Sequence, residues 1–257
     1  MSQFHPDTMT TVEPLACLCS TCSMALNCLC KDLDAPLKAR LENEVLRNRV
    51  VNRGQSLFEI GDPFQRLYAV RSGSIKVYTL IDNGEEQVMG FYLPGELLGL
   101  DAIDRGIHGC SAVALETSSI CEVKFKKLEQ LCATQPLLQQ RLHRIYAREI
   151  ARDYAMLQLL GRKSAEQRLA HFLLHLSRRF ADRGYSADEF NLSMSRHDIG
   201  NYLGLALETV SRLLARFQEQ KLIQVKRRHV RLLKRQALAV IAGEPVTTTT
   251  TAGSHYH

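Results

Sequence analysis

Residues 195–220, SRHDIGNYLGLALETVSRLLARFQEQ, decide the fold of the C-terminal part of this chain. Ser195-Arg196-His197-Asp198 reads as a capping box, with Ser195 as N-cap and Asp198 in place of the usual Glu. It opens a short helix carrying Ile199, Tyr202 and Leu203, and Gly204 provides the turn. A second helix runs from about Leu207, with Val210, Leu213, Leu214 and Phe217 on its buried side. Its polar face carries Glu208, Ser211 and Arg212, whose i, i+3, i+4 spacing points all three one way. That trio suits a DNA major groove. Arg donates two hydrogen bonds to guanine, Glu accepts from cytosine N4, and Ser contacts a neighbouring base. A solvated Glu–Arg pair on an ordinary helix is the plain alternative. The next residues argue against it: Ile223–Val225 and Val230–Leu232 flank Lys226-Arg227-Arg228-His229, a β-hairpin wing whose basic turn can touch phosphate.

Charge agrees. The chain has 257 residues, enough for two domains, and a net charge of +6. Residues 161–242 hold 16 Lys and Arg against 7 Asp and Glu, whereas residues 1–160 hold 17 against 19. The basic surplus therefore sits in the C-terminal third, as expected of a nucleic-acid binder.

Upstream, the pattern changes. From about Val50 to Phe125, short β-type runs alternate with glycine turns. Leu67–Val70, Arg71-Ser72-Gly73 and Ile75–Tyr78 read as strand, turn, strand. Asp82-Asn83-Gly84 is a further turn, Gln87–Leu93 a further strand, Pro94-Gly95 a break, and Ser111–Leu115 and Ser119–Phe125 close an antiparallel barrel or roll. After Pro136 the period becomes helical for about 25 residues. Leu142, Ile145, Tyr146, Glu149, Asp153, Met156, Leu157 and Leu160 are expected on one face. A helix of that length between domains often pairs with its copy in a dimer. Glu149 and Asp153 would then interrupt the seam and make it adjustable. Gly161 is expected to end this helix, and Ser164–Phe180 to form another. The predicted architecture is α+β, in five parts. Residues 1–30 form a cysteine-rich segment, 31–135 a sensory β-roll and 136–161 a dimerisation helix. Residues 162–242 form a winged helix-turn-helix, and 243–257 a disordered, threonine-rich tail.

The N-terminal segment holds five of the eight cysteines, Cys17, Cys19, Cys22, Cys28 and Cys30. So short a segment buries no core of its own, and a metal centre can supply the missing organisation. Thiolates this close suit a soft metal centre. The start, MSQFHPDTMT, lacks the basic and apolar regions of a signal peptide, and no run of about 18 apolar residues occurs. A cytoplasmic protein without a membrane span is expected, where clustered cysteines serve metal or redox chemistry rather than structural disulfides. Spacing alone leaves the ligand set open among these five. Zinc is an alternative for any four-thiolate site. Cys110 and Cys132 read as packing residues, and Cys121, on a strand face with Val123 and Phe125, reads by itself as a buried core cysteine.

DIGNYLGLALETVSRLLARFQ resembles the DNA-binding motif of the FNR branch of the Crp/Fnr regulators. LYAVRSGSIKVYT, EEQVMGFYLPGELLG and ALETSSICEVKF resemble that branch's sensory β-roll, so the likeness spans roughly residues 15–240. The resemblance implies a homodimer reading double-stranded DNA at TTGAT-type palindromes through Glu208, Ser211 and Arg212. It implies a [4Fe–4S] cluster on Cys19, Cys22, Cys28 and Cys121, with Cys17 and Cys30 as bystanders. It also implies that oxygen converts the cluster to [2Fe–2S], with Asp153 favouring monomers once the cluster is lost. RNA polymerase is the implied partner, met partly through the turn Asp82-Asn83-Gly84-Glu85. One departure is Asn27 beside Cys28, where relatives carry an apolar residue; a polar neighbour would expose the cluster.

Three other readings compete. Pro94-Gly95-Glu96-Leu97 keeps part of a cyclic-nucleotide phosphate cassette, but Gly109-Cys110-Ser111-Ala112 lacks the Arg that relatives use for the phosphate. A cysteine redox switch without iron is chemically close to the cluster reading. An enzyme is not expected: no nucleotide-binding glycine loop or His/Asp/Ser constellation is evident.

Overall fold

The computed structural model describes Cys19, Cys22 and residues 28–81 and 84–244. Cys17, Asn27, Asp82, Asn83 and the threonine-rich residues 245–257 lie outside that set.

The first described elements are α1 (Ala35–Arg40), with Asp34 as N-cap, and a π-turn over Leu41–Val45. Eight strands follow: β1 (Leu46–Val51), β2 (Ser56–Phe58), β3 (Arg66–Ser72), β4 (Ile75–Leu80), β5 (Glu86–Tyr92), β6 (Leu97–Leu98), β7 (Ser111–Ala114) and β8 (Ser118–Lys124). They form two antiparallel sheets, ordered β1-β8-β3-β6 and β2-β7-β4-β5. This is the expected roll. The turn between β3 and β4 requires Gly73: its φ is 82°, and a Cβ there would lie 2.8 Å from the Ser118 Cα. The sheets enclose Phe58, Val70, Ile75, Val77, Leu98 and Ile120.

Phe125 opens a helix, α2 (Phe125–Thr134), instead of ending β8. The long helix α3 spans Pro136–Arg162, so Gly161 lies inside it. The single face expected of α3 divides in two. Leu138, Leu142, Ile145 and Leu159 are buried against the rest of the chain, and Glu149 and Met156 are half-buried beside them. Asp153 and Leu157 point outward with Ile150 and Tyr154.

Ser164 caps α4 (Ala165–Ala181) in a capping box with Gln167. Then come β9 (Glu189–Asn191), α5 (Arg196–Leu203), α6 (Leu207–Glu219), β10 (Ile223–Lys226), β11 (His229–Leu232) and α7 (Arg235–Ala242). β10, β11 and β9 form a third antiparallel sheet. The core under α4–α7 is Leu169, Leu173, Leu176, Ile199, Val210, Leu214, Phe217 and Leu238. Gly243 caps α7 in the left-handed conformation, and Glu244 pairs with Arg178 and His171. The folded part thus continues past the expected start of the tail.

Candidate DNA-reading helix and thiol-lined cavity

Ser195 accepts from the Asp198 backbone N–H at 3.0 Å, and Asp198 accepts from the Ser195 N–H at 2.9 Å, completing the expected capping box. Gly204 ends α5 at φ 62°, the left-handed cap that glycine tolerates best. Gly200 has a different duty: a Cβ there would sit 2.6 Å from the Leu205 carbonyl oxygen, so the tight crossing of α5 and α6 excludes a side chain. The crossing leaves Glu208 and Arg212 exposed and Ser211 half-buried on one face of α6. Glu208 and Arg212 do not pair with each other among the described residues; the Arg212 guanidinium donates to the Thr209 hydroxyl at 3.3 Å. Arg196 donates to the Ser211 hydroxyl at 3.4 Å from the neighbouring helix. The wing tip is Arg227, held at φ 58°, a region that disfavours any residue with a Cβ.

Arg168, on α4, joins this domain to the long helix. Its guanidinium donates to the carbonyls of Leu160 at 2.6 Å, Lys163 at 2.9 Å and Leu203 at 3.0 Å, tying the end of α3 to the end of α5. The β-roll is joined as well. Lys76 pairs with Asp198 at 3.1 Å, and the Asn201 side chain bonds the backbone of Glu86 and Val88. The conspicuous joint is Glu96, the acid of the cassette outline. It accepts from Arg179 at 2.5 Å, from Arg183 at 2.6 Å and from the Leu93 N–H at 3.0 Å, with Arg152 at 3.8 Å. Burial alone would raise this carboxyl, but Arg179, Arg152 and Arg183 outweigh it and hold the pKa at about 2. A carboxylate so engaged is not offered to a ribose. Where relatives place the phosphate-binding Arg, Cys110 is buried against Asp101, and burial pushes its thiol up.

The second site lies across the roll. Cys121 on β8 sits between Asn48 of β1 and Ala69 of β3, and Leu46 pairs with Val123 beside it. Above this face stand Cys19, Cys22, Cys28, Leu29 and Cys30, and together they line one small cavity whose remaining wall is apolar. The four thiols named from sequence and resemblance are thus brought together from segments about ninety residues apart. Cys30, a bystander on the resemblance, joins them: its Sγ lies 3.2 Å from that of Cys19. Hydrogen bonds with Cys19 and Cys28, and then burial, raise its pKa strongly and keep it a neutral thiol. Among the described residues no group of three or more His, Cys, Asp or Glu side chains is arranged to hold a single metal ion. Four soft donors in an apolar shell fit an iron–sulfur cluster.

An antiparallel roll, a long connecting helix and a winged helix-turn-helix with an open, polar reading face define a DNA-binding transcription regulator, not an enzyme. Residues 48–135 match the cyclic nucleotide-binding domain and residues 167–241 the Crp-like helix-turn-helix domain. The chain is 47% identical over 228 residues to the transcriptional activator protein Anr of Pseudomonas protegens, covering 89% of this chain and 93% of that one. It is 46% identical over 225 residues to the fumarate and nitrate reduction regulatory protein of Escherichia coli, covering 88% and 90%. Among solved structures, FixK2 from Bradyrhizobium japonicum superposes with a TM-score of 0.70 at 33% identity, covering 77% of this chain and 97% of that one. The chain belongs to the FNR branch of the Crp/Fnr family of transcription regulators. Among its described residues no helix is long and apolar enough to cross a membrane.

Proposed function

We propose that this regulator senses oxygen through a [4Fe–4S] cluster on Cys19, Cys22, Cys28 and Cys121, and binds DNA as a homodimer in the cytoplasm while the cluster is intact. The observation that carries the reading is the cavity that these four cysteines line together. The apolar neighbours Leu29, Leu46, Ala69 and Val123 would limit the access of water and solutes. When bound, the cluster would supply oxygen-labile iron–sulfur bonds, held by Cys19, Cys22 and Cys28 and by Cys121 of β8.

The dimer seam is the outward stripe of α3. Ile150, Tyr154 and Leu157 are 54%, 64% and 67% exposed, at the four- and three-residue spacing of a coiled-coil face. Asp153 stands exposed beside them. Across a two-fold axis it would meet its own charge, a repulsion that the loaded state must overcome. A cluster that binds the dimer-competent state better shifts the population toward it. Glu208, Ser211 and Arg212 then read TTGAT-type half-sites, and Arg227 supplies a phosphate contact. RNA polymerase is the proposed partner, met in part at the turn over residues 82–85. There the Ile81 N–H donates to the Glu85 carbonyl at 3.0 Å.

The test is an anaerobic visible spectrum with iron and sulfide analysis, repeated after air is admitted. Absorbance at roughly 400 nm, about four iron per chain and bleaching in air support the reading. A colourless, iron-free protein that still binds its palindrome refutes it. That outcome moves the sensor to thiol chemistry, for which the Cys19–Cys30 approach of 3.2 Å is the favouring observation.

A further inference from the structure

Arg141 lies on the buried side of α3, only 7% exposed. Its Nε and Nη2 donate to the same acceptor, the carbonyl oxygen of Cys28, at 3.2 and 2.9 Å. Among the described residues no carboxylate lies within ion-pair distance of this guanidinium. Arg148 and Arg144 of its own helix oppose its charge, while Asp32 and Cys28 favour it without an ion-pair contact. A buried charge is costly unless compensated, and one carbonyl offers only a partial negative charge. The chain nevertheless buries an arginine here, against the backbone of a cysteine that lines the cavity. The missing compensation has an evident source. Four thiolates around an iron–sulfur centre carry net negative charge, and Cys28 would be one of them.

We infer that Arg141 is a positioning residue that links the cluster-binding segment to α3, its fork holding the Cys28 carbonyl and its charge balancing the thiolate-bound cluster. The inference rests on the cluster reading above and deepens it, because it names how the state of the cavity reaches the dimerisation helix. With the cluster bound, the guanidinium has its counter-charge and the first turns of α3 are fixed against residues 28–32. With the cluster lost, the buried cation keeps the Cys28 carbonyl and the influence of Asp32 but no counter-charge in contact, and that end of α3 loosens. Coupling is reciprocal: a dimer that orders α3 must also hold the cluster better. Lysine would keep the charge but not the two-donor fork.

The test compares full-length wild type, R141Q and R141K, loaded anaerobically. Iron per chain, the midpoint potential of the cluster, and the dimer dissociation constant before and after cluster removal are measured. Removing a cation beside a negatively charged cluster disfavours its reduction. R141Q should therefore shift the midpoint negative by about 59 mV, the one-electron equivalent of tenfold, while R141K stays near wild type. The ratio of dimer constants between cluster-free and loaded protein should fall by about tenfold in R141Q and by less in R141K. A merely structural role would not move the potential. R141Q with the wild-type potential and ratio overturns the inference and leaves the cluster reading standing. If R141Q fails to hold iron, R141K decides: loading and potential restored by the retained charge support the inference, and failure of both variants overturns it. Wild type without iron overturns the cluster reading and this inference together.

Discussion

Replacing Glu96 by Gln removes one charge from a cluster with three arginines and leaves the shape unchanged. The side chain is 17% exposed, accepts from Arg179 at 2.5 Å and Arg183 at 2.6 Å, and has Arg152 at 3.8 Å. Its carboxyl is moved from an ordinary 4.5 to about 2, burial being outweighed by Arg179, Arg152 and Arg183. A shift of that size corresponds to about 3 kcal/mol of stability at neutral pH. Removing one partner of a buried ion pair gives a similar figure, roughly 3–5 kcal/mol. The sign follows from the direction. An acid whose folded pKa is depressed contributes fully above its unfolded value, and the contribution fades as pH falls from 4.5 toward 2. The deficit of E96Q should therefore be about 3 kcal/mol at pH 7 and roughly 1 kcal/mol at pH 3. In a chain of this size the neutral deficit lowers Tm by about 6–12 °C.

The assay is urea unfolding followed by tyrosine fluorescence, since the chain has no tryptophan. Both proteins are unfolded at several pH values between 3 and 7. A double-mutant cycle with R179Q should show a coupling of about 1 kcal/mol or more. An E96Q deficit below about 0.5 kcal/mol, or one equal at pH 3 and pH 7, refutes the assignment of Glu96 as the charge that joins the roll to α4.

Four further outcomes are expected. Burial, and after it Arg179, lowers the His175 pKa to about 3, so the folded protein refuses a proton that the unfolded chain takes below about 6.5. H175Q should lose part of the stability decline between pH 6.5 and 4, seen as a flatter urea midpoint against pH. R227G relieves the left-handed φ at the wing tip, so it should gain up to about 1 kcal/mol of stability. The same variant should weaken binding to all DNA sequences alike, with the salt slope reduced by about 1 in titrations at several ionic strengths. R212A should lose about 1–3 kcal/mol on the cognate palindrome and little on random DNA, which competition binding separates. C30S should retain about four iron per chain in anaerobic iron analysis, whereas C121S should not.

Legibility in the sequence followed the range of the interaction. The helix-turn-helix was fully readable because its determinants are local: the Ser195–Asp198 box, Gly204, and one apolar face on α6. The Arg71–Gly73 turn was readable for the same reason. Short elements lack such markers, among them β6, with two residues, and α7, which follows Lys234 without a side-chain cap. On α3 the helix was plain but its facing was not. Its 27 residues carry two apolar stripes, and periodicity does not say which one meets the chain and which faces outward. Cys121 needed the resemblance, because its meeting with Cys19, Cys22 and Cys28 depends on the β1-β8-β3 register. Glu96 stood out only as a cassette remnant, its arginine partners lying 83 and 87 positions away. Arg141 carried no signal at all, since its acceptor is a backbone carbonyl 113 positions distant.

These long-range contacts place α3 between the two sites. Near one end, Arg141 holds the Cys28 carbonyl; at the other, Arg168 holds the carbonyls of Leu160 and Leu203. A change at the cysteine cavity can thus bias the first turns of α3, and the last turn is bonded to the helix that orients α6. Contiguity alone does not establish coupling; a two-state element that both sites bias does. The exposed stripe Ile150–Tyr154–Leu157 would provide such an element in the proposed dimer, covered there and bare in a monomer, with the exposed Asp153 opposing the covered state. On this account, L157E should uncouple the two ends. It adds a second like charge at the seam, so DNA binding should require about tenfold or more protein even with the cluster loaded, while iron content stays at the wild-type level. D153A should act oppositely and leave part of the DNA binding intact after air is admitted. Anaerobic and aerobic DNA titrations of both variants, with iron measured in each sample, separate seam from sensor. If L157E binds DNA at wild-type protein concentrations with the cluster loaded, the outward stripe of α3 is not the seam and the switch lies elsewhere.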